Sequence, residues 1–147
     1  MQQFSSTGNL KLNSDVLLPT EPTRHWLYKL WRAAGSNEQE AQLTADHLIG
    51  ANLAGHDSHG VGMVPRYVDA VLEGGLSPNT GVKVLLDTGA LLSLDGQRGY
   101  GQITGVQAMT LGIERARAHG MALVALRNSH HIGRIGQWAE DCAAAGL

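Results

Sequence analysis

The segment Asn128-Ser129-His130-His131-Ile132-Gly133-Arg134-Ile135-Gly136 gathers two adjacent histidines, a serine, an arginine and two glycines. Imidazole titrates near neutral pH, so such a pair suits proton transfer. The apolar run Met121 to Leu126 before it reads as a buried strand, and Gln137 to Ala145 after it reads as a helix. In open α/β folds a strand-to-helix handover is a preferred place for ligands and catalytic groups. The competing reading, of equal weight on residue types alone, packs one histidine in the core and leaves the other in solvent.

A second polar cluster, His56-Asp57-Ser58-His59-Gly60, lies between two helical patterns. It reads in three ways. Asp57 or Ser58 can cap the following helix. The histidines and Asp57, with His130 and His131, can be metal ligands, but their spacing matches no zinc pattern, so no metal is expected. His59 can also donate to a cofactor or a substrate carboxylate. No Gly-x-Ser-x-Gly elbow occurs, so hydrolase chemistry has no support.

Gly99-Tyr100-Gly101-Gln102-Ile103-Thr104-Gly105 follows a strand-like run and opens a helix. It is similar to a dinucleotide fingerprint with one extra spacer, in which glycines let a pyrophosphate reach the helix N-terminus. Arg127, rather than an acid, closes the next strand, which would suit a 2′-phosphate. A glycine turn before a helix is the simpler reading and carries more weight.

These segments need elements to hold them. Thr23 to Ala34 predicts a helix with Trp26, Leu27, Leu30 and Trp31 inward and Gly35 as its stop. Ser36 with Gln39 reads as a capping box opening a helix to Ala54, with Ala41, Ala45, Leu48, Ile49 and Leu53 inward. A third helix runs to Glu73, with Pro65 in its first turn and Val64, Val68, Val71 and Leu72 inward. Val82, Val84 and Leu86 alternate as a strand, and Leu91 to Leu94 forms another. Gln102 to His119 is a helix ended by Gly120. The expected fold is therefore α/β, a helical N-terminal portion followed by strands and helices of a larger domain.

With 147 residues, 43% of them hydrophobic, the chain suffices for one cored domain. A net charge of −2 with no run of lysine or arginine gives no case for nucleic acid or an anionic membrane. The apolar runs are too short to span a bilayer. The lone Cys142 excludes an internal disulfide. With no apolar h-region or twin arginine near the start, a cytoplasmic location is expected. Residues 1–22 read as a loose polar arm, and 23–147 as the folded part. The last residues, Ala145-Gly146-Leu147, stop a helix where another strand would be expected, as in the N-terminal part of something longer.

Asp57-Ser58-His59-Gly60-Val61-Gly62-Met63-Val64-Pro65-Arg66-Tyr67, then Leu94-Asp95-Gly96 with Gly101-Gln102, then Asn128 to Gly136, together resemble the type 2 malate/L-lactate dehydrogenases, which are distinct from the Rossmann lactate dehydrogenases. The resemblance covers about Thr23 to Leu147. It implies hydride transfer between NAD or NADP and a small 2-hydroxy or 2-oxo acid. It places the acid–base role on His131, cofactor contacts on His59, Gly133, Arg134 and Ile135, and Tyr67 on the substrate side. Many members carry an arginine four residues after the Ser-His-Gly histidine, suited to a two-pronged carboxylate grip. Met63 stands there in this chain, and Arg66 is the nearest substitute. Members run to more than twice this length, so the expected unit is an N-terminal segment, a homodimer of low activity by itself. The rival expectation is a folded, non-catalytic module that dimerises or binds nucleotide weakly.

Overall fold

The computed structural model describes residues 16–147; the expected arm at 1–22 therefore lies mostly outside the described residues. Five α-helices and three strands follow in the order α1 (Thr20–Ala33), α2 (Glu38–Leu53), α3 (Val64–Leu72), β1 (Lys83–Asp87), β2 (Leu91–Asp95), α4 (Gly101–His119), β3 (Leu123–Arg127) and α5 (Ile135–Ala144). Two single 3-10 turns, Asp57–His59 and Val61–Met63, lead from α2 into α3. The α/β reading holds, with helices first and the sheet after them.

Helix ends are set locally. At the end of α2, Gly55 takes φ +77°, its amide donates to the Asn52 carbonyl and the His56 amide donates to that of Ala51. A left-handed residue followed by this pair of bonds closes the last carbonyls of a helix, and glycine adopts it without a Cβ penalty. The chain so reversed delivers His56 to His59 beside the helix it has just left. The same closure ends α1 at Gly35, where the Ser36 amide donates to Trp31.

That closure corrects the expected capping box. Ser36 is buried, its amide spent on finishing α1. Asn37, one residue later, has the extended backbone a cap needs, and its side chain accepts the Glu40 amide at 2.9 Å. Three residues expected inward are outward as well: Trp26, Leu53 and Leu72 are 52%, 68% and 80% exposed. Leu53 and Leu72 close their helices, beyond the neighbours that cover the preceding turns.

Two apolar cores result. Leu27, Trp31, Ala45, Leu48, Tyr67 and Tyr100 fill the space between the first three helices and the start of α4. Fully burying side chains of this size contributes roughly 1.5–3 kcal/mol each. Leu92, Leu94 and Ala108 form the second core, between β2 and α4. The sheet has the order β1-β2-β3, antiparallel then parallel, with Leu91 opposite Leu123 and Asp95 opposite Arg127. The alternation expected in β1 has no buried side: all five residues are exposed, and the register shifts between Val84 and Leu86. No helix among the described residues is long and apolar enough to cross a membrane.

Candidate active site

β3 ends at Arg127, and Asn128 turns the chain with φ +52°, a conformation asparagine tolerates better than most residues. Two bonds then tie the turn down: the Arg98 amide donates to the Asn128 carbonyl at 2.7 Å, and the His130 amide donates to Gly99 at 3.1 Å. The hydroxyls of Ser129 and Thr104 meet at 2.8 Å. The histidine segment is thus laid along the first turn of α4.

The glycine run supplies the room. A Cβ on Gly101 would collide with the backbone carbonyls of His131 and His130, one on Gly99 with the Thr80 carbonyl, and one on Gly105 with the Trp138 ring. The fingerprint reading is therefore corrected. Gly99 and Gly101 admit the chain's own backbone and Gly105 the Trp138 ring, which leaves no space there for a pyrophosphate.

His131 sits over Tyr67, which comes from α3. The Tyr67 hydroxyl lies 2.7 Å from His131 Nδ1, and the Gln102 carboxamide nitrogen donates to that hydroxyl at 2.8 Å. Tyr67 and Gln102 are both fully buried. The Gly133 amide also donates to His131 Nδ1, at 3.4 Å. Nδ1 is thereby held inward, while Nε2 has no hydrogen-bond partner among the described residues and is not among the buried unpartnered atoms. Burial lowers the His131 pKa below its ordinary 6.5, and the neighbouring His59, His130 and Arg66 lower it further. The ring is therefore neutral at pH 7. Burial pushes the Tyr67 phenol up to about 12, so it keeps its proton.

The two polar clusters of the sequence meet here. The His59 ring stacks on that of His131 with centroids 5.4 Å apart and planes 27° from parallel. Ser58 Oγ lies 2.9 Å from His59 Nδ1. Asn52 braces the turn, accepting the Val61 amide at 2.8 Å and donating to Asp57 at 2.5 Å. Neither Asn52 nor Gln102 was among the expected site residues, although Gln102 stands in one of the motifs that carry the resemblance; Gln102 is fully buried, while Asn52 is only half-buried.

The other expected site residues fall as follows. His130 packs edge-on against Tyr67, at 5.3 Å and 89°, with its Nδ1 buried. Arg66, exposed in the first turn of α3, stands near enough for its charge to lower both His130 and His131. Gly133 is buried with φ +73°. Arg134 is held at both guanidinium nitrogens by Glu140, at 2.8 and 2.6 Å. Ile135 begins α5 and is exposed, and no side chain caps that helix. Tyr67, expected on the substrate side, has its hydroxyl taken up between His131 and Gln102. Among the described residues, no three His, Cys, Asp or Glu side chains converge as metal ligands would.

The family profile described as malate/L-lactate dehydrogenase matches residues 18–147. The chain belongs to the malate/L-lactate dehydrogenase family. It is 58% identical over 122 residues to hydroxycarboxylate dehydrogenase B of Escherichia coli (strain K12), covering 83% of this chain and 34% of that protein. It is 38% identical over 132 residues to a malate dehydrogenase of Pyrococcus abyssi, covering 90% of this chain and 36% of that one. The solved malate dehydrogenase of Pyrococcus horikoshii OT3 superposes with a TM-score of 0.84 at 32% identity, over 89% of this chain and 38% of that chain. The chain thus spans about a third of the length of these malate/L-lactate dehydrogenase relatives. Both histidine clusters lie inside the matched residues.

Proposed function

We propose that this chain carries the proton-transfer side of an NAD- or NADP-dependent oxidoreductase acting on a small 2-hydroxy or 2-oxo acid. The observation that carries this reading is the stacked His59–His131 pair, which brings two distant polar clusters to one place with a single accessible ring nitrogen on His131. Structural histidines that merely fill a core have no need of such convergence.

His131 moves the proton at Nε2, to and from the substrate oxygen. Its lowered pKa favours the neutral ring; oxidation of an alcohol uses that ring with Nε2 free to accept a proton, and reduction uses the protonated ring. Tyr67 and Gly133 fix the ring from the Nδ1 side, and a fixed ring spares the reaction part of its orientational cost. His59 would flank the nicotinamide, and Arg66, whose charge reaches His131, would attract the acid's carboxylate. The uncapped start of α5 at Ile135, with Gly133 and Arg134 before it, would hold an anionic part of the cofactor, since helix N-termini favour negative charge. Arg134, already paired with Glu140, would contribute through its backbone. The nicotinamide, when bound, would exchange hydride with the substrate carbon.

The chain is also proposed to form a homodimer. Exposed Leu17, Leu18 and Leu53 line one cavity where the start of α1 meets the end of α2, and Leu18 and Trp26 line an adjoining apolar one, surfaces that cost free energy in water. Sedimentation velocity reads this directly.

The rival, a folded module without catalysis, is favoured by the uncovered sheet residues Val84, Leu86 and Leu123. Titration with NADH and NADPH, followed through the His59 and His131 ring resonances, separates the two. The proposal expects both rings to shift, with slow turnover of malate, lactate or their oxo acids. Rings unmoved at millimolar cofactor, with no turnover, would leave only the module.

A further inference from the structure

Three donors and acceptors around His131 Nδ1 constrain where the ring keeps its proton. The Gly133 N–H points at Nδ1 and cannot turn around, so Nδ1 must present a lone pair. The Tyr67 hydroxyl has one hydrogen and three directions for it: His131 Nδ1 at 2.7 Å, the His131 carbonyl at 3.4 Å, and Gln102. Gln102 donates at 2.8 Å and so blocks the last direction. Of the two acceptors left, Nδ1 is the nearer and lies at full hydrogen-bond distance, so the phenolic hydrogen points there.

We infer that Gln102 is a positioning residue which, through Tyr67, holds neutral His131 as the tautomer with its proton on Nε2. This rests on the reading of His131 as the acid–base group and deepens it. The open ring nitrogen then offers an N–H, which suits the carbonyl oxygen of a 2-oxo acid. To take the proton of a 2-hydroxy acid at Nε2, the ring must first adopt the other neutral tautomer, with its N–H on Nδ1 facing the Tyr67 oxygen and the phenolic hydrogen turned to the His131 carbonyl; reduction of a 2-oxo acid draws on the doubly protonated ring, which gives up the Nε2 proton. Protonating the ring at Nδ1 would set N–H against the Gly133 amide and force the Tyr67 hydroxyl round toward the His131 carbonyl, 3.4 Å away. That conflict acts in the same direction as burial and the nearby charges of His59, His130 and Arg66, which also oppose the charged ring.

The imidazole nitrogen resonances of uniformly 15N-labelled chain report the tautomer without any need for activity. In the unsubstituted chain above neutral pH, His131 should show protonated Nε2 and unprotonated Nδ1, in excess of about tenfold over the other form. Gln102→Met, close in volume but unable to donate, frees the hydroxyl. It should raise the Nδ1–H form at least threefold and raise the His131 pKa. In a Tyr67→Phe background the same substitution should change neither. A dominant Nδ1–H form in the unsubstituted chain overturns the inference, as does an equal response to Gln102→Met with and without the Tyr67 hydroxyl. Because no cofactor or substrate is present, these outcomes stand apart from the dehydrogenase reading, which fails only if the cofactor leaves the rings unmoved.

Discussion

His59 and His131 lie ring upon ring, 5.4 Å between centroids, although one ends a 3-10 turn after α2 and the other follows β3. Their meeting depends on Gly101, whose missing side chain lets the His131 backbone press against the start of α4.

Replacing Gly101 with alanine should therefore cost stability and disturb the pair together. The obstructing atoms are backbone, which cannot swing aside as a flexible side chain would. Overpacking of this kind costs about 1–3 kcal/mol. Urea unfolding should show a midpoint lowered to match, and the His131 ring resonances should move. A variant as stable as the parent, with unchanged rings, would show that the close approach is not needed.

Acid should destabilise the fold in two stages. Burial lowers His47, His130 and His131 below 6.5 in the folded chain. Below 6.5 the unfolded chain binds protons that the folded one resists, so stability rises with pH across this range. The contribution is complete above 6.5 and is lost as pH falls from there toward the folded values. Asp87, Asp95 and Glu140, lowered chiefly by hydrogen bonds, add a further loss only as pH falls below the usual carboxylate range. Urea midpoints at about pH 8, 6.5 and 5.5 test the first stage. A midpoint that rose on acidification would contradict it.

The start of α2 offers a sharper comparison. Asn37→Ala should cost roughly 0.5–2 kcal/mol, the usual loss on removing a side-chain cap. Ser36→Ala should cost less than that, because Ser36 closes α1 through its backbone amide and its hydroxyl caps no amide of α2. Thermal melts of the two variants read the difference. The reverse order would restore the capping box expected from Ser36 and Gln39.

Tyr67→Phe should lower stability by roughly 1–3 kcal/mol, since the buried Gln102 amide then loses its acceptor. It should leave the helical core intact, because the ring still packs against Trp31 and Tyr100. Chemical denaturation with near-ultraviolet circular dichroism checks both statements together. No loss of stability would mean that Gln102 finds another partner.

Much of this was legible in the sequence because it is governed locally. Glycine where a helical apolar pattern runs out favours the left-handed residue that closes a helix, so the stops at Gly35, Gly55 and Gly120 could be read directly. The strand-to-helix handover around His130 and His131 follows from an apolar run, a polar turn and an alanine-rich helix in succession. The family resemblance marked His59 and His131 as partners of one chemistry. Other features depend on what a residue meets across space. Ser36 and Asn37 are equally good caps by type, and only the completion of α1 decided between them. The run Gly99 to Gly105 was compatible with a phosphate loop, though a glycine turn before a helix carried more weight, and only the folded chain showed Thr80, the His130–His131 backbone and Trp138 filling the gap. The alternation in β1 could not reveal that no layer covers it. Sequence alone thus determined the elements and the chemical groups, since these depend on near neighbours. Tertiary structure decided which ring nitrogen of His131 is open, and that Gln102 and Tyr67 stand behind the other, since those contacts join segments that no local rule connects.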